Sequence, residues 1–552
     1  MKTFGIELCM IISSIIVLSG CGGTVTERVE TELKPGTSEV VSPSPSYGDT
    51  LIESYIGDLI TLNPLISNEG VSELFYSRIF NGLVRYDENF RIVPDLADTW
   101  EISPDGLLLT FGLKRNVQWH DGVSFTSADV KFTFEKIMDP ATGCPALESF
   151  GSFATVETPD DYTVRFRLKE QFAPALIYCG FYVIPRHIYQ NEDIRTSKYN
   201  RNPIGTGQFR FVEWRSNEQI VMKANNGSFA GRPYINRYIC KIIPDKGMAF
   251  LAFKRGEIDC YSLTWDQYAK QMDPQFLEKY NIYKVSIFFY YMPYNTQKPF
   301  LSDKNVRRAL TMAIDRENLI KEVLRGFGKP ASGPFVPGSW PCNQGIVPLQ
   351  YSPEKARELL SAAGFCDSNA DGYLDRDGKT LEIEILKVGK NPEAMILPKL
   401  IEEYWRKIGV KAKLSFVDWK TQMSRVSAGD FDAEISGRAL GSWDPDIEYS
   451  AWHSSQIPDS SGRAGYNYPR YSNPEMDSLL DQGRKTYDFE ERKKIYNRVH
   501  ELIYEDQPCT FFYISDKLLA VDKRFYGISV TDSGTLTPIQ YWYVPEGLQK
   551  YQ

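Results

Sequence analysis

The segment from Pro94 to Pro140 constrains the fold of this chain more than any other stretch. Trp100–Ile102 and Leu107–Leu113 are rich in strand-forming residues, and Pro104-Asp105-Gly106 between them has the composition of a tight turn. The pattern therefore predicts a β-hairpin, and a second turn at His120-Asp121-Gly122 follows it.

A helix is predicted at the end of this segment. Thr126 or Ser127 has the side chain of an N-cap, and the apolar residues after it are Ala128, Val130, Phe132, Phe134 and Ile137. The whole segment therefore reads as strand, turn, strand, turn and capped helix. It contains neither a catalytic triad nor a metal-binding cluster.

This order of elements, in register over about 45 positions, closely resembles one family, the extracytoplasmic solute-binding proteins of peptide-type ABC importers. That group includes dipeptide-, oligopeptide- and nickel-binding members. Further blocks similar to those of the family follow in the family's order, at Pro203–Phe211, Gly231–Tyr234, Ile242–Asp245, Gly256–Asp259, Tyr294–Thr296, Asp303–Asp315, Tyr351–Ala356 and Tyr471–Asp477.

The resemblance implies an α/β chain with the two-lobed type II periplasmic-binding-protein fold, in its large three-subdomain variant, and a ligand cleft between the lobes. The length of 552 residues also exceeds what one hydrophobic core usually serves. We expect lobe I at 48–294 plus 515–552, with an inserted subdomain at about 85–200, and lobe II at 295–514. Two chain crossings would form the hinge.

The N-terminus predicts an exported, anchored protein. Lys2 precedes an apolar run from Leu8 to Leu18, and Leu18-Ser19-Gly20-Cys21 resembles a lipobox. We therefore expect a signal peptide at 1–20 and a lipid on Cys21 that holds the protein on a membrane, facing a periplasm or the outside medium. Residues 21–47 have a tether composition that would reach about 28 Å root mean square. A plain secretory signal or an uncleaved anchor is the alternative.

Composition excludes some partners. The chain has 63 basic and 71 acidic residues, a net charge of −8 and no basic tract, which argues against nucleic-acid binding. Its 33 Tyr, 31 Phe and 10 Trp suit a binding cleft, although most rings belong to the core.

The predicted export decides which cysteines could form disulfides. Two of the nine, Cys9 and Cys21, lie in the signal peptide and at the lipid site, which leaves seven. An odd number leaves at least one thiol without a partner inside the chain. Export permits disulfides, and we predict a bond between Cys240 and Cys260.

No cofactor is expected, because the four histidines are far apart in sequence and none has the spacing of a zinc or haem motif. His120 belongs to a turn that the family shares, so a structural role is favoured, and His453 is kept as an alternative metal ligand. Asp367, Asn369 and Asp371 resemble half of a calcium loop, but Gly378 stands where its bidentate glutamate should be. A polar hairpin with Asx turns explains the same residues and is preferred.

The ligand is placed at Gly437–Ser455, which in the family follows a strand of the second lobe and faces the cleft. In peptide-binding relatives an aspartate three residues before the Asp-Pro pair holds the ligand's ammonium group. Gly441 corresponds to that aspartate here, which argues against short peptides anchored by their amino terminus and favours close, strand-like backbone pairing with longer ones. The predicted contacts are Gly441, Ser442, Trp443 and Asp444. Trp443 has packing as an alternative role, and Asp444 turn capping.

Two further places are predicted to line the cleft. Asn63 lies in the loop Thr61–Pro64, which resembles the family's first ligand-facing loop, and Tyr291 and Tyr294 lie just before the hinge. Packing is the alternative for each.

The resemblance implies a binding protein rather than an enzyme. We predict a monomeric lipoprotein that captures oligopeptides and delivers them to an ABC permease and ATPase complex. The same fold with a metal chelate, an oligosaccharide or an opine-like solute is the first alternative, and a peptide-signal receptor is another. A hydrolase that uses Asp444 and Asp446 is disfavoured, because carboxylates flanking one proline do not face each other across a scissile bond.

Overall fold

Strands and helices are interspersed along the chain, as expected of an α/β protein. The structure is a computed structural model and describes residues 43–88, 90–389, 392–439, 444–458, 465–531 and 534–551. The strands are β1 (Gly48–Tyr55), β2 (Val84–Tyr86), β3 (Ile92–Pro94), β4 (Ala97–Ile102), β5 (Leu108–Leu113), β6 (Phe153–Asp160), β7 (Thr163–Leu168), β8 (Phe209–Arg215), β9 (Gln219–Ala224), β10 (Ile235–Ile242), β11 (Cys260–Leu263), β12 (Tyr280–Pro293), β13 (Gly328–Pro330), β14 (Asp375–Arg376), β15 (Lys379–Thr380), β16 (Glu382–Val388), β17 (Lys411–Val417), β18 (Ala433–Glu434), β19 (Ser436–Ala439) and β20 (Cys509–Asp522). The helices are α1 (Gly70–Ile79), α2 (Ser127–Met138), α3 (Ala175–Tyr178), α4 (Arg186–Tyr189), α5 (Lys246–Lys254), α6 (Trp265–Gln271), α7 (Pro274–Lys279), α8 (Lys304–Met312), α9 (Arg316–Leu324), α10 (Pro353–Ala362), α11 (Pro392–Arg406), α12 (Trp419–Ala428), α13 (Ile447–Trp452), α14 (Pro474–Lys485) and α15 (Phe489–Asp506).

The largest sheet has the strand order β19, β12, β20, β11, β1, β10, β9 and β8, with β13 also paired to β20. Strand β1 is parallel to both of its neighbours, β10 and β11. Its first five residues are buried, as expected of a parallel strand that is covered on both faces.

A four-stranded antiparallel sheet in the order β4, β5, β7 and β6 lies within 85–200, the range predicted for the inserted subdomain, and that name is kept for it below. Buried and more exposed residues alternate along β5 and β7, and α2 covers the buried face, with the ring of Phe134 5.3 Å from that of Phe166. The predicted hairpin is confirmed as β4 and β5, with Gly106 at φ +69° in the turn. The predicted helix is also confirmed: Thr126 is the N-cap, and its N–H donates to the Asp129 carboxylate at 2.9 Å.

The second lobe contains a parallel sheet in the order β17, β16 and β18. Helices α11 and α12 pack against β16, and the Trp405 indole on α11 donates to the carbonyl oxygen of Leu310 on α8 at 3.1 Å. Both β16 and β17 end at one edge, at Val388 and Val417. In open α/β sheets this carboxyl-end edge is where ligands bind.

Two long strands connect the lobes. Strands β12 and β20 each have 14 residues. They pair antiparallel from Tyr280 and Asp522 to Pro293 and Cys509, with register shifts after Ser286 and after Tyr290. One end of the pair adjoins β11 of the first lobe, and the other end adjoins Tyr294, which bridges to Ala433 of the second lobe.

Each lobe has its own hydrophobic core. The core of the first lobe joins residues from β1, the inserted subdomain and the C-terminal segment, including Leu51, Phe134 and Val544. The core of the second lobe includes Leu310 and Trp405. Residues Ser44–Gln552 nevertheless form one compact unit. The predicted boundaries at 294 and 515 stay a prediction.

The predicted bond between Cys240 and Cys260 is wrong. Glu53 on β1 lies opposite Cys240 on β10 and opposite Cys260 on β11, so a whole strand separates the two cysteines. Two strand spacings are about 9.5 Å, which exceeds the Cα separation of about 7 Å that a disulfide tolerates. All seven cysteines from Cys144 to Cys509 are free thiols.

The predicted signal peptide, the lipid site Cys21 and nearly all of the predicted tether lie outside the residues that the structure describes. Within the described ranges, no helix combines the length and the apolar character needed to cross a membrane.

A buried ion network fastens the C-terminal segment to the first lobe. Arg524 is 5% exposed and binds the carboxylates of Asp49 and Asp259, the latter at 2.6 Å. Lys550 joins the network through Asp522 at 2.7 Å. We call Arg524, Asp49 and Asp259 the first-lobe ion cluster.

Candidate functional site

A cavity of about 440 Å³ lies between the inserted subdomain and the second lobe, and we call it the lobe-interface cavity. The inserted subdomain contributes apolar side chains to its wall, and the second lobe contributes two large rings and an ion pair. Its lining residues include Ile92, Ile102, Leu176, Trp340, Phe489, Asp444 and Arg492. A neighbouring cavity of about 520 Å³ shares Trp340 and Phe489 with it.

Asp444, at the start of the predicted ligand segment's Asp-Pro-Asp element, forms a bidentate ion pair with Arg492 of α15, at 2.7 and 2.8 Å. Both residues are buried, and the Asp444 carboxylate also accepts the N–H of Asp446 at 2.9 Å. Burial lowers the pKa of Arg492, but the adjacent Asp444 carboxylate more than offsets burial, so that the net pKa is raised. Asp444 therefore caps a turn and holds α15, as the alternative interpretation of this residue had it.

The next acid along the chain joins the two lobes. Asp446 binds the guanidinium of Arg484 at 2.7 and 3.2 Å, and it accepts the hydroxyl of Tyr178 of the inserted subdomain at 3.2 Å. The guanidinium of Arg484 lies 3.9 Å from the ring centroid of Tyr449 and 5.0 Å from that of Phe172. A cation between two rings, with a carboxylate beside it, is a strong contact in a partly dry site.

Main-chain bonds reinforce this junction. The N–H of Ala173 donates to the carbonyl oxygen of Arg484 at 2.6 Å, and the hydroxyl of Tyr487 donates to that of Gly106 at 2.9 Å. Burial and then Asp446 raise the pKa of Tyr178, so this phenol stays protonated and remains a donor. We call Phe172, Tyr178, Asp446 and Arg484 the interlobe contact.

Aromatic residues line a small cavity beside the hinge strands. Tyr291 stacks on Phe511 with a centroid distance of 6.0 Å, and the guanidinium of Arg438 lies 5.1 Å from the ring centroid of Phe289. Arg438 forms an ion pair with Glu448, and Glu448 also accepts the indole N–H of Trp452 at 2.6 Å. The hinge end of the cleft is thus aromatic and its charges are paired.

The carboxyl-end edge of the second-lobe sheet carries an exposed ring. Trp419 begins α12 directly after β17 and is 62% exposed, which is high for a large aromatic side chain. It lines a concave surface with Val388 and Val417. This position suits stacking with a ligand, and no sequence motif had singled it out.

Of the three cleft residues predicted near the hinge and in the first loop, one lines a cavity and two have fully buried side chains. Tyr291 lines the hinge cavity. Tyr294 is a correction: it is fully buried, its hydroxyl is 2.6 Å from the Thr510 hydroxyl, and it packs in the second-lobe core, so no solute can reach its ring. The Asn63 side chain is also fully buried and donates to Asn200 at 2.9 Å, so only the main chain of its loop is left for the ligand contact that was predicted.

Three predicted ligand residues, Gly441, Ser442 and Trp443, lie outside the described residues, in the gap between Ala439 and Asp444. Their contact with a ligand stays a prediction.

The loop that resembles half of a calcium site is a network of Asx turns. Asp367 accepts the N–H groups of Asp371 and Gly372 at 3.1 and 3.0 Å, and Asn369 accepts that of Asp371 at 3.0 Å. The polar-hairpin interpretation describes this geometry. Over the described ranges, no three or more His, Cys, Asp or Glu side chains form a group that could hold a metal ion.

Two of the histidines, His120 and His453, make close contacts within the fold. His120 is buried against the carbonyl oxygen of Gly207 at 2.9 Å, and burial lowers the pKa of His120 to about 4. His453 stacks on Tyr449, and its Nδ1 accepts the N–H of Ser455 at 3.1 Å.

Sequence analysis missed Arg438, Arg484 and Arg492, which neutralise the acids of the predicted ligand segment. Arg484 on α14 and Arg492 on α15 follow the Asp-Pro-Asp element by about forty residues. A local motif cannot contain such pairs. One signal could have found the pairs of Arg484 and Arg492. The acids Asp444, Asp446 and Glu448 need cations if they are buried, and α14 and α15 supply basic residues.

The two lobes, the paired hinge strands and the interlobe cavities define a type II periplasmic-binding-protein fold. Residues 91–459 match the family model described as bacterial extracellular solute-binding proteins, family 5. The chain belongs to this family.

Relatives of different specificity are similar to the chain to nearly the same degree. The oligopeptide-binding protein AppA of Bacillus subtilis is 29% identical over 98% of this chain and 99% of its own. The heme-binding protein A of Haemophilus influenzae is 29% identical over 81% of this chain and 83% of its own.

The solved structures give the same result. AppA of Bacillus subtilis in complex with a nonapeptide superposes with a TM-score of 0.69 at 30% identity, over 91% of this chain and 100% of its own. NikZ of Campylobacter jejuni in complex with Ni(L-His) has a TM-score of 0.71 at 30% identity, over 90% of this chain and 99% of its own. The fold and the family are thus shared among proteins with different ligands.

Proposed function

We propose that this protein is a receptor that captures oligopeptides between its lobes and delivers them to an ABC importer. The main support is the full-length similarity to an oligopeptide-binding relative, over 98% of the chain. Affinity would come from main-chain hydrogen bonds, and roomy pockets would tolerate different side chains.

Delivery requires a change of shape, and the interlobe contact is the element that would control it. Arg484 and Asp446 belong to the second lobe, and Tyr178 and Phe172 belong to the inserted subdomain, so lobe opening separates them. A ligand that contacts both lobes favours the closed form, because it binds that form better than the open one. The permease and its ATPase would distinguish the two forms.

We further propose that the mature protein is a monomeric lipoprotein that begins at Cys21, with the lipid on that residue and a tether up to residue 47. The tether would let the body find its permease at the membrane surface. The division into lobe I at 48–294 plus 515–552 and lobe II at 295–514 belongs to the same proposal.

A non-peptide solute is the second candidate. It is favoured by one observation: the relative solved with Ni(L-His) is as similar in sequence to this chain as AppA is, at 30% identity. Gly441, in place of the ammonium-binding aspartate, also fits a ligand without a free amino terminus. A receptor for peptide signals would have the same ligand site and would differ only in its protein partner.

Binding without turnover is the proposed chemistry. Asp444 and Asp446, the acids considered for hydrolysis, are each paired with a separate arginine, Arg492 and Arg484. A carboxylate whose oxygens are occupied by a guanidinium is not free to reach a scissile bond, and general acid-base catalysis requires that contact.

The test is native mass spectrometry of the body from residue 47 onward, purified gently from its own cells. A ladder of bound masses that sequence as peptides is the expected result. One repeated non-peptide mass would favour the second candidate instead. Turnover of a chromogenic peptide or glycoside that is lost in Asp444→Asn would contradict binding without turnover.

A further inference from the structure

We propose that a row of three basic residues on the first lobe docks the protein on anionic lipid headgroups of the membrane that holds its tether. The three residues are Arg210 on β8, Lys223 on β9 and Arg237 on β10, and we call them the basic row. The inference rests on the proposed function in one respect, because the proposed lipid anchor places the protein at a membrane.

Strand pairing places the three residues side by side. Arg210 lies directly opposite Lys223, and Lys223 lies directly opposite Arg237. Residues that face each other across an antiparallel pair lie on the same side of the sheet. Met222 and Tyr238, the chain neighbours of Lys223 and Arg237, point to the other side and are buried in the first-lobe core. The basic row is therefore on the solvent side, with Lys223 and Arg237 exposed and Arg210 half-buried.

The charges of the basic row do not serve the fold. Neighbouring strands lie about 4.8 Å apart, so the row spans about 10 Å, and like charges directly opposite each other destabilise a sheet. Over the part of the chain that the structure describes, none of the three residues forms an ion pair with an acid. At the other end of the same hairpin, by contrast, Arg215 is paired with Glu218 at 3.0 Å. Unpaired charge that costs stability points to a partner outside the chain.

The sign of the charge selects an anionic partner. The chain as a whole carries a net charge of −8, but charges farther away than the Debye length of about 10 Å are largely screened. Each basic residue at an anionic lipid surface gains about fivefold in affinity, which makes the row worth on the order of a hundredfold. A single acyl chain binds a membrane only marginally, and a basic surface beside it stabilises the attachment.

The point where the tether leaves the body favours lipid over other anionic partners. Gly48 begins β1, and its N–H donates to the carbonyl oxygen of Tyr234, three residues before Arg237, at 2.9 Å. Tyr47 stacks on Tyr234 with a centroid distance of 5.1 Å, and the guanidinium of Arg232 lies 4.4 Å from the Tyr47 ring centroid. The segment that leads to the predicted lipid site therefore leaves the body beside the basic row, and the anchor keeps the row within reach of the headgroups.

Docking through the basic row leaves the ligand edge of the sheet free. Arg237 lies opposite Thr50, near the start of β1, whereas β1 ends five residues later at Tyr55. Those five residues span about 16 Å along the strand. Ligands bind at the carboxyl ends of strands in open α/β sheets. A receptor docked through the row can therefore still take up its solute.

The test is co-sedimentation of residues 44–552 with lipid vesicles. These residues form one compact unit and exclude the predicted lipid site. Vesicles of phosphatidylcholine and phosphatidylglycerol in equal parts are compared with vesicles of phosphatidylcholine alone, and we expect binding to the anionic vesicles only. Binding should disappear when the ionic strength rises from about 0.1 M to about 1 M, because the Debye length falls from about 10 Å to about 3 Å.

Lys223→Gln combined with Arg237→Gln removes two of the three charges at exposed positions. Binding to the anionic vesicles should weaken by about 25-fold, that is about fivefold for each charge. The matched control is Lys355→Gln combined with Arg406→Gln, which removes the same two residue types from exposed positions on α10 and α11. This control should bind as wild type does. Lys223→Arg keeps the charge and should also bind as wild type does.

Three results would overturn the inference. The basic row is not a lipid-docking surface if the wild-type body binds both kinds of vesicle equally, if it binds neither, or if the double variant binds as tightly as wild type. Retention of wild type, but not of the double variant, on immobilised polyglutamate without any binding to vesicles would assign the row to an acidic protein partner instead.

The outcome for the basic row is separate from the outcome for the proposed function. Vesicle binding by residues 44–552 depends neither on a lipid at Cys21 nor on a captured peptide. A body that retains peptides but binds no vesicles leaves the peptide receptor standing without the docking surface. A body that binds anionic vesicles through the row but retains no peptide leaves the docking surface standing without the peptide receptor.

Discussion

Two arginines in this molecule have similar chemistry and differ in what they join. Arg524 is 5% exposed and binds Asp49 and Asp259, all within the first lobe. The Arg484 side chain is 30% exposed and binds Asp446, and it rests on Phe172 across the junction between the lobes.

The difference lies in whether lobe motion breaks the contact. In the proposed mechanism, opening of the lobes would leave the first-lobe ion cluster intact, so we expect Arg524 to contribute to the free energy of unfolding. Opening would separate Arg484 from Phe172, and Asp446 from Tyr178, so we expect the interlobe contact to contribute to the equilibrium between open and closed forms. The same type of residue would then serve stability in one place and closure in the other.

The largest expected effect comes from Arg524→Ala. This change removes the nearest cation of two buried carboxylates and leaves only Lys550, 3.8 Å from Asp259, so we expect it to lower the free energy of unfolding by about 3–5 kcal/mol. Urea unfolding at pH 7 measures this loss. Lys494→Ala removes an exposed pair with Glu491 and, as the control, should leave the stability unchanged, because solvent screens exposed pairs. A loss below about 1 kcal/mol for Arg524→Ala would show that the cluster is not a stability element.

Glu434 is a buried acid that, unlike the acids bound by Arg524 and Arg484, forms no ion pair with an arginine of the described residues. Burial raises the pKa of Glu434 to about 7, against smaller opposing effects of Gln422 and Lys387. The folded state thus favours the protonated form. The stability from this group is complete below about pH 4.5 and is lost as the pH rises through 7, by on the order of 3 kcal/mol.

Glu434→Gln should remove this dependence, so the stability difference between variant and wild type should grow in favour of the variant from pH 5 to pH 8. Urea unfolding at both pH values measures it. His120 and His500, whose pKa burial lowers to about 4, titrate in both proteins and cancel in the comparison. A difference that is constant with pH would contradict the raised pKa of Glu434.

Arg484→Ala should act on closure instead of unfolding. Loss of the interlobe contact should weaken binding of the retained peptides about 5- to 30-fold, equivalent to about 1–2 kcal/mol. Calorimetry measures the affinity, and X-ray scattering should show a larger radius of gyration for the peptide-free variant. Arg498→Ala, which removes ion pairs inside the second lobe, is the matched control and should leave both unchanged. Equal losses of affinity in the two variants would show that the interlobe contact has no special role in closure.

The smallest expected effect belongs to Tyr178→Phe. This variant loses the hydrogen bond of 3.2 Å to Asp446 and keeps the ring. Closure should weaken in the same direction as in Arg484→Ala, by about 0.5–1.5 kcal/mol. In a double-mutant cycle the two changes should be less than additive, because both act on Asp446. Strict additivity would mean that Tyr178 and Arg484 act independently.

Sequence reasoning predicted local structure well. The hairpin β4–β5 and the N-cap Thr126 were expected from turn residues and capping side chains, whose effects extend over only a few residues. The blocks that carried the family resemblance are of the same kind. They predicted the two-lobed fold and the family correctly.

Sequence reasoning was weaker where side chains meet across the fold. Tyr291 and Tyr294 are three residues apart, yet one lines the hinge cavity and the other is fully buried, because the strand ends between them, at Pro293. Cys240 and Cys260 were predicted to form a disulfide, but β1 lies between their strands.

The sequence by itself determined the class of the molecule: its turns, caps, core strands and family follow from short-range chemistry along the chain. Only the tertiary structure decided which charges are paired. Asp444 meets Arg492, and Asp446 meets Arg484 and Tyr178, because packing of the lobes brings together segments that are far apart in sequence. An acid's role depends on burial and on the nearest cation, and neither is fixed until the chain has folded.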